Sequence, residues 1–527
     1  MSHEGARDPL RLAAAAAAAS LLSFLYFYRH GQILLYGDAV AHIAIARRVF
    51  DSLKPSLLHL GTVWLPLPHL LILPFVVPDD WWQSGVGGSI PSMIAYVAGT
   101  VGLFRLVRAR ASRLAAWLAA VVFALNANLL YLQSTAMTEP LYLALFVWGV
   151  LFLDEFVRTR QEDPDGAARS LRRCAALLAA GMLTRYDAWV LTCAIGVIAT
   201  VLVWRRGTIP AQGLSRLRRA WMLFVLVGAA VPAFWFLYNY VRWGDPLDFA
   251  RGQYSAKAIA ERTLPATFHY PGLHSPTVAA LFFLKSAVLN LGGEGRWQWV
   301  LLWVALAGTL WMLARRRERW TWLLLWLPLP FYALAIAYGS VPIYVPMWWP
   351  FGYYNLRYGL QLLPAVAVFV AAAFDSLTMP PRARVAAIVA VLALVAGSAL
   401  ASWRGTPICQ REAQVNSVTR VPFEKALARE LARLPATARF LMFTGGHPGA
   451  LQTAGIPLHR TLNETLHPEW EQALANPASS ADYVVAIDGD PVAAAVAAHP
   501  QNLEALVIVE TPGQGRATIY GVRPTIP

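Results

Sequence analysis

Charge is what this sequence has least of: 14% of its 527 residues are charged, where soluble proteins carry about 25%. Cysteine is nearly absent as well. Cys174, Cys193 and Cys409 are too few for a disulfide framework. The chain contains no Walker motif, no paired CxxC and no HExxH, so nucleotide, zinc-thiolate and zincin chemistry have no foothold in it. No repeat at solenoid spacing is present either.

What is there is apolar: hydrophobic residues make up 57% and mean hydropathy is +0.46. Apolar stretches of roughly 17 to 25 residues, enough to cross a bilayer, recur up to about Trp403 and then stop. The pattern predicts an α-helical polytopic membrane protein of about 11–13 transmembrane helices over 1–403, with a small C-terminal α/β extracytoplasmic domain over 404–527. Spans are expected near 10–28, 90–108, 114–132, 137–156, 170–184, 187–205, 218–241, 297–314, 321–338, 358–376 and 385–403. The proline-rich stretch 63–78 is too short to place, and either spans or re-enters. The N-terminal apolar run lacks a small-residue cleavage site and reads as an uncleaved signal-anchor.

A net charge of +14 in a soluble chain would suggest nucleic acid. Here the arginines cluster in short loops near 105–113, 158–173, 205–219, 315–319 and 382–384, which the positive-inside rule keeps cytoplasmic. The basicity is topology, and no nucleic-acid partner is expected. Alternation then puts the connections near 133–137, 185–187, 242–290 and 339–357 outside, together with everything after Trp403.

The few acids near apolar spans are the first candidates for chemistry, because a carboxylate there is costly and usually faces a cavity. Asp38 opens an amphipathic stretch that holds His42 four residues on. Glu139 follows "QSTAMT", and "TRYD" sets Arg185 beside Asp187. Each acid can also be read as a helix N-cap or dipole partner, with Arg185 simply pairing Asp187. All three fall on the expected external side, which favours a functional reading for Asp38 and Glu139 and leaves Asp187 open. In "MWWPFGYYNLRYGLQLLP", Arg357 stands among aromatics, Tyr358 included. It reads either as a snorkelling arginine in an aromatic belt or as a phosphate clamp. The expected external loop 242–290 adds Arg251, Tyr254, Lys257, His269 and His274.

Together these pieces resemble the GT-C superfamily of polytopic glycosyltransferases that use lipid-phosphate sugars, in particular its family 39-like branch. An acid in the first external loop, the acid after "QSTAMT", the "TRYD" step and "NLRYGLQLLP" carry the resemblance over roughly 1–403. One departure stands out: the branch often carries two adjacent acids in that loop, and here Ala39 follows Asp38.

The resemblance implies transfer of a hexosyl or pentosyl group from a polyprenyl-phosphate donor to a glycan, lipid or protein hydroxyl at the outer face of the inner membrane. Asp38 would be the general base and Glu139 would orient the acceptor or share a divalent cation (Mg²⁺ or Mn²⁺). Arg357, with Lys257 or Arg251, would take the leaving phosphate; no metal ligand set is assigned. His42, Arg185, Asp187 and Tyr358 would complete the substrate site. A transporter or flippase for a lipid-linked sugar, and a membrane scaffold with a partner-binding tail, are the competing classes.

Overall fold

A computed structural model describes residues 3–205, 209–263, 268–292, 297–375 and 380–523. Contacts divide the chain into two compact units: residues 1–30, 62–68 and 91–412 form one, residues 31–61, 69–90 and 413–527 the other.

The first unit is helical. Among the described residues of the chain, eight helices are long and apolar enough to cross a membrane, and four apolar helices are shorter. Leu363–Asp375 lies at the centre of this unit, with nearly every side chain buried, and packs on Trp297–Arg315 and Arg113–Ala124. Glu139–Thr159 and Pro164–Met182 form an antiparallel hairpin, on which Ala211–Trp243 packs. Asp163 and Pro164 set the start of the second arm, with Asp163 Oδ1 accepting the Gly166 N–H at 2.9 Å. This is the expected pairing of a side-chain cap with proline at the first helical position.

Two expectations need correction, and a third segment is open to two readings in the sequence. The stretch 242–290 is no open loop: Pro276–Gly292 is an apolar, largely buried helix. At 17 residues it sits at the short end of what crosses a bilayer. The single span expected at 114–132 is two helices, Arg113–Ala124 and Ala127–Leu132. Asn126 breaks them, its Oδ1 accepting from the Leu129 N–H and its Nδ2 donating to the Asn290 carbonyl at 2.7 Å. Within 63–78 the apolar helical stretch Leu67–Val76 is ten residues long. At 1.5 Å per residue that reaches about 15 Å, half a bilayer core, so it does not span.

The arginine-rich ends of the spans are tied by buried acids that sequence reading passed over. Asp154, fully buried, accepts from Arg110 Nε at 2.9 Å and from the Thr321 hydroxyl at 2.6 Å. Asp375 accepts from Arg319 at 3.0 Å and from the Ser112 N–H, and Asp8 holds Arg113.

The second unit contains a five-stranded mixed sheet. Its strands are β1 (Phe440–Met442), β2 (Thr461–Leu462), β3 (Tyr483–Ile487), β4 (Leu503–Val509) and β5 (Ala517–Val522), in the order β2-β1-β3-β5-β4. β1 runs parallel to β2 and β3, whereas β5 is antiparallel to β3 and β4. Leu441, Trp470, Val484, Val492 and Val496 centre its core.

Residues 31–61 join this unit through buried charge. Arg47, in the helix Gly37–Arg48, donates to Asp51, Asp79 and the Val76 and Val77 carbonyls. Its guanidinium lies over the Phe50 and Trp82 rings. Asp51 in turn accepts from the backbone N–H groups of Leu458 and His459 and from the His459 ring. Burial pushes the Asp51 pKa up, but the bonds from Arg47 and His459 outweigh it and leave the carboxyl below its usual value.

Asp51→Ala leaves Arg47 without its buried carboxylate partner and strands the Leu458 and His459 N–H groups, and the expected loss is about 3 kcal/mol. Because the folded pKa lies below the unfolded one, Asp51 contributes above about pH 4, and its contribution disappears as pH falls through the folded pKa. Limited proteolysis within 413–523 should therefore separate variant from wild type at neutral pH, with the gap closing below pH 4. A gap that persists unchanged in acid contradicts the assignment.

Candidate active site

Five of the expected residues meet around one buried ion network in the helical unit. Glu139 and Asp187 are each the first residue of a helix, Glu139–Thr159 and Asp187–Trp204. The cap positions belong to Thr138 and Tyr186, neither with a side-chain cap bond, so neither acid is an N-cap. Both instead sit where the helix dipole favours negative charge.

Arg185, in the turn before the second helix, reaches both acids. Its Nη1 donates to Glu139 Oε1 at 3.1 Å and to the Thr138 hydroxyl at 3.2 Å, and its Nε donates to Asp187 Oδ1 at 3.2 Å. Nη2 donates to the Tyr332 hydroxyl at 2.8 Å, which passes its own proton bond to Asp187 Oδ2 at 2.9 Å. Every oxygen of Asp187 is thereby engaged, which is what a buried carboxylate needs.

Arg357 extends the network. Its Nε stands 3.4 Å from Glu139 Oε1, and Nη1 donates to Glu412 Oε1 at 3.1 Å while its backbone N–H meets Glu412 Oε2. Tyr358 lies between the two arginines, with each guanidinium 5.1 Å from its ring centroid, and stacks on Tyr332. Cation–π contact is strongest where water is excluded, as here. Glu139 Oε2 is buried with no hydrogen-bond partner.

Local backbone places Arg357. Asn355 takes a left-handed φ of 56°, donating to the Pro342 carbonyl, and the tight 3₁₀ segment Leu356–Leu362 follows. Gly359 lets that segment press on the helix Pro276–Gly292: a Cβ there would stand 2.4 Å from the Ala287 nitrogen. The Leu356 carbonyl accepts from Ser286 and Asn290. Asn290 Oδ1 lies 3.1 Å from Cys409 Sγ, and Asn128 Oδ1 accepts the Cys409 N–H. Cys409 thus fixes the start of the helix Ile408–Ser417 that carries Glu412.

The other expected residues lie elsewhere. Lys257 is exposed and faces Glu261 at 3.9 Å, outside the network. Asp38 and His42 belong to the second unit. Asp38 is in the first turn of Gly37–Arg48, whose cap is Tyr36, so it too is no N-cap. His42 is buried and its Nδ1 lies 2.8 Å from His69 Nε2. Burial, then the neighbouring His42 and Arg48, push the His69 pKa well below the usual histidine value and keep that ring neutral. Glu412 and Tyr332 were missed. Nothing marks Glu412 in the sequence among the ordinary acids after Trp403, and Tyr332 is one of many aromatics.

The cluster does not fit a divalent cation. Among the described residues no three side chains of His, Cys, Asp or Glu converge as a ligand set. Glu139, Asp187 and Glu412 already bond guanidinium or hydroxyl donors.

The chain shares its fold with solved structures of GT-C membrane glycosyltransferases. Among solved structures it is similar to ArnT from Cupriavidus metallidurans bound to undecaprenyl phosphate, with a TM-score of 0.59 and 14% identity over 97% of both chains. The apo state of that protein aligns with a TM-score of 0.56, 13% identity and coverage of 96% and 98%. The archaeal oligosaccharyltransferase AglB from Archaeoglobus fulgidus, in complex with an inhibitory peptide and a dolichol-phosphate, aligns with a TM-score of 0.50 and 12% identity, covering 92% of this chain and 70% of its own. At these identities the likeness is one of fold. No family model and no curated protein matches the sequence.

Removing Arg185 leaves two buried carboxylates without their common donor. Arg185→Ala is expected to cost about 3–5 kcal/mol, and Arg185→Lys more than half of that, because an ammonium cannot fork between Glu139, Asp187 and Tyr332. Thermal unfolding in detergent, followed by loss of the monodisperse peak, should order wild type above Lys above Ala. Equal melting of all three means the network carries no stability.

Proposed function

We propose that this chain is an integral-membrane glycosyltransferase that moves a hexosyl or pentosyl group from a polyprenyl-phosphate donor to an acceptor hydroxyl. The observation that carries the reading is a pair of buried guanidiniums, Arg185 and Arg357, held at span ends in a fold whose solved example binds undecaprenyl phosphate. The family 39-like branch, the inner membrane and a periplasmic site belong to the same proposal.

In this reading Asp38 takes the proton of the acceptor hydroxyl as its oxygen bonds to the anomeric carbon. The bond from that carbon to the phosphate oxygen breaks, and the electron pair leaves with the polyprenyl phosphate. Arg357 stabilises the charge that grows there. Arg185 and Tyr358 hold Arg357 and Glu139 in place, and Glu139 orients the acceptor. The support for Asp38 is its position: a half-buried acid in a helix's first turn, two places inside the cap residue Tyr36. No step is routed through a metal.

The test is sugar release from a labelled panel of polyprenyl-phosphate sugars by purified protein in lipid. Asp38→Asn should lose turnover by roughly 10²–10⁴-fold while still binding donor. Arg357→Lys should weaken donor binding as well as turnover. Wild-type turnover matched by Asp38→Asn rules out the base. Binding of a donor with no turnover by wild type moves the assignment to a transporter.

A further inference from the structure

The helix Glu139–Thr159 is 21 residues long, about 30 Å at 1.5 Å per residue. Its far end, and that of Asp187–Trp204, border a second polar feature that the reaction above does not use. A cleft of about 620 Å³ opens there, lined by Arg110, Arg158, Arg160, Arg205 and Glu318 with an apolar wall. Val197, Ile198, Val201 and Leu202 form one stripe of that wall along Asp187–Trp204, and Val157 and Trp320 face it. Val197 and Val201 are 65% and 57% exposed.

The arginines are not equivalent. Arg110 is neutralised by Asp154, with Nε at 2.9 Å from Oδ2. Arg158, Arg160 and Arg205 have no carboxylate at ion-pair distance among the described residues, and Glu318 is exposed and likewise unpaired. Burial, then the nearby Arg205, push the Arg160 pKa below the usual arginine value, so these like charges crowd one another. The positive-inside rule asks for basic loops. It does not ask three loops to converge their guanidiniums on one cleft, with one apolar stripe leading away from them.

We propose that this cleft binds an anionic phospholipid from the arginine-side leaflet. Its headgroup phosphate would meet Arg158, Arg160 and Arg205, and its proximal acyl chain would lie on the Val197–Leu202 stripe. Basic pockets between membrane helices suit such headgroups, and Trp320 suits the water interface. Net negative charge is required because Glu318 opposes one of the three guanidiniums. The site is independent of the transferase reading.

Native mass spectrometry of the purified full chain, titrated with phosphatidylglycerol, cardiolipin or phosphatidylcholine, tests it. Each guanidinium contributes roughly fivefold, so Arg158→Gln with Arg205→Gln should lower phosphatidylglycerol retention by about 25-fold. Both side chains are exposed, and the double variant keeps the fold. Arg7→Gln with Arg11→Gln removes equal charge from an exposed basic end that does not line the cleft and should leave retention unchanged. Retention by wild type that favours anionic over neutral lipid and falls only in the first variant supports the site. Equal loss in both variants, equal retention of phosphatidylcholine, or displacement by glycerol phosphate at matching concentration overturns it.

Discussion

The helical unit depends on the cost of holding charge away from water. An unpaired ion in a low-dielectric interior costs several kcal/mol, so each buried guanidinium fixes the elements that carry its partners. Arg185 obliges the starts of Glu139–Thr159 and Asp187–Trp204 to meet Tyr332. Arg357 obliges the 3₁₀ segment Leu356–Leu362 to meet both Glu139 and Glu412. Helices packed by apolar contact alone could slide past one another. These cannot slide without stranding a charge.

The same device recurs where no chemistry is expected. Arg110 with Asp154 and Thr321, and Arg319 with Asp375 and Ser112, stitch the arginine-side ends of the spans. Arg47 does so in the other unit, with Asp51 and Asp79. Buried charge therefore does not by itself mark a site. What separates the Glu139 cluster is its composition: two guanidiniums share three carboxylates with tyrosine rings between them, and one carboxylate oxygen is left without a donor.

The sequence reading found the polytopic fold, the α/β tail and most of this cluster for one reason. Charge is rare enough in the chain that Glu139, Arg185, Asp187 and Arg357 stand out against an apolar background. Where background and signal look alike, it failed. Glu412 sits in a stretch of ordinary composition, and its bonds to Arg357, with Cys409 and its asparagine partners, draw it into the membrane unit. Pro276–Gly292 escapes a span-length search because it is only 17 residues long, with Lys285, Ser286 and Asn290 buried inside it. For Glu139 the alternative holds, with Thr138 at the cap position and the acid in the first turn, whereas for Asp38 and Asp187 the cap reading fails for a subtler reason. Composition cannot tell the cap position from the residue one or two places further in.

The donor shortage in the cluster bears on how Arg357 could serve a phosphate. Its Nη1 and backbone N–H are committed to Glu412, and its Nε faces an oxygen that Arg185 already holds. A phosphate that arrives adds negative charge to a group in which carboxylates already outnumber guanidiniums. It can be accommodated by exchange, with one phosphate oxygen replacing one carboxylate oxygen in the guanidinium fork, since both present similar acceptor geometry. Glu412 is the partner suited to give way: Arg357 retains Glu139 if it does, whereas release of Glu139 would also unsettle Arg185, Thr138 and Tyr332. In this account the carboxylates hold Arg357 in the geometry that a phosphate needs and lower the cost of keeping that charge buried until the anion comes.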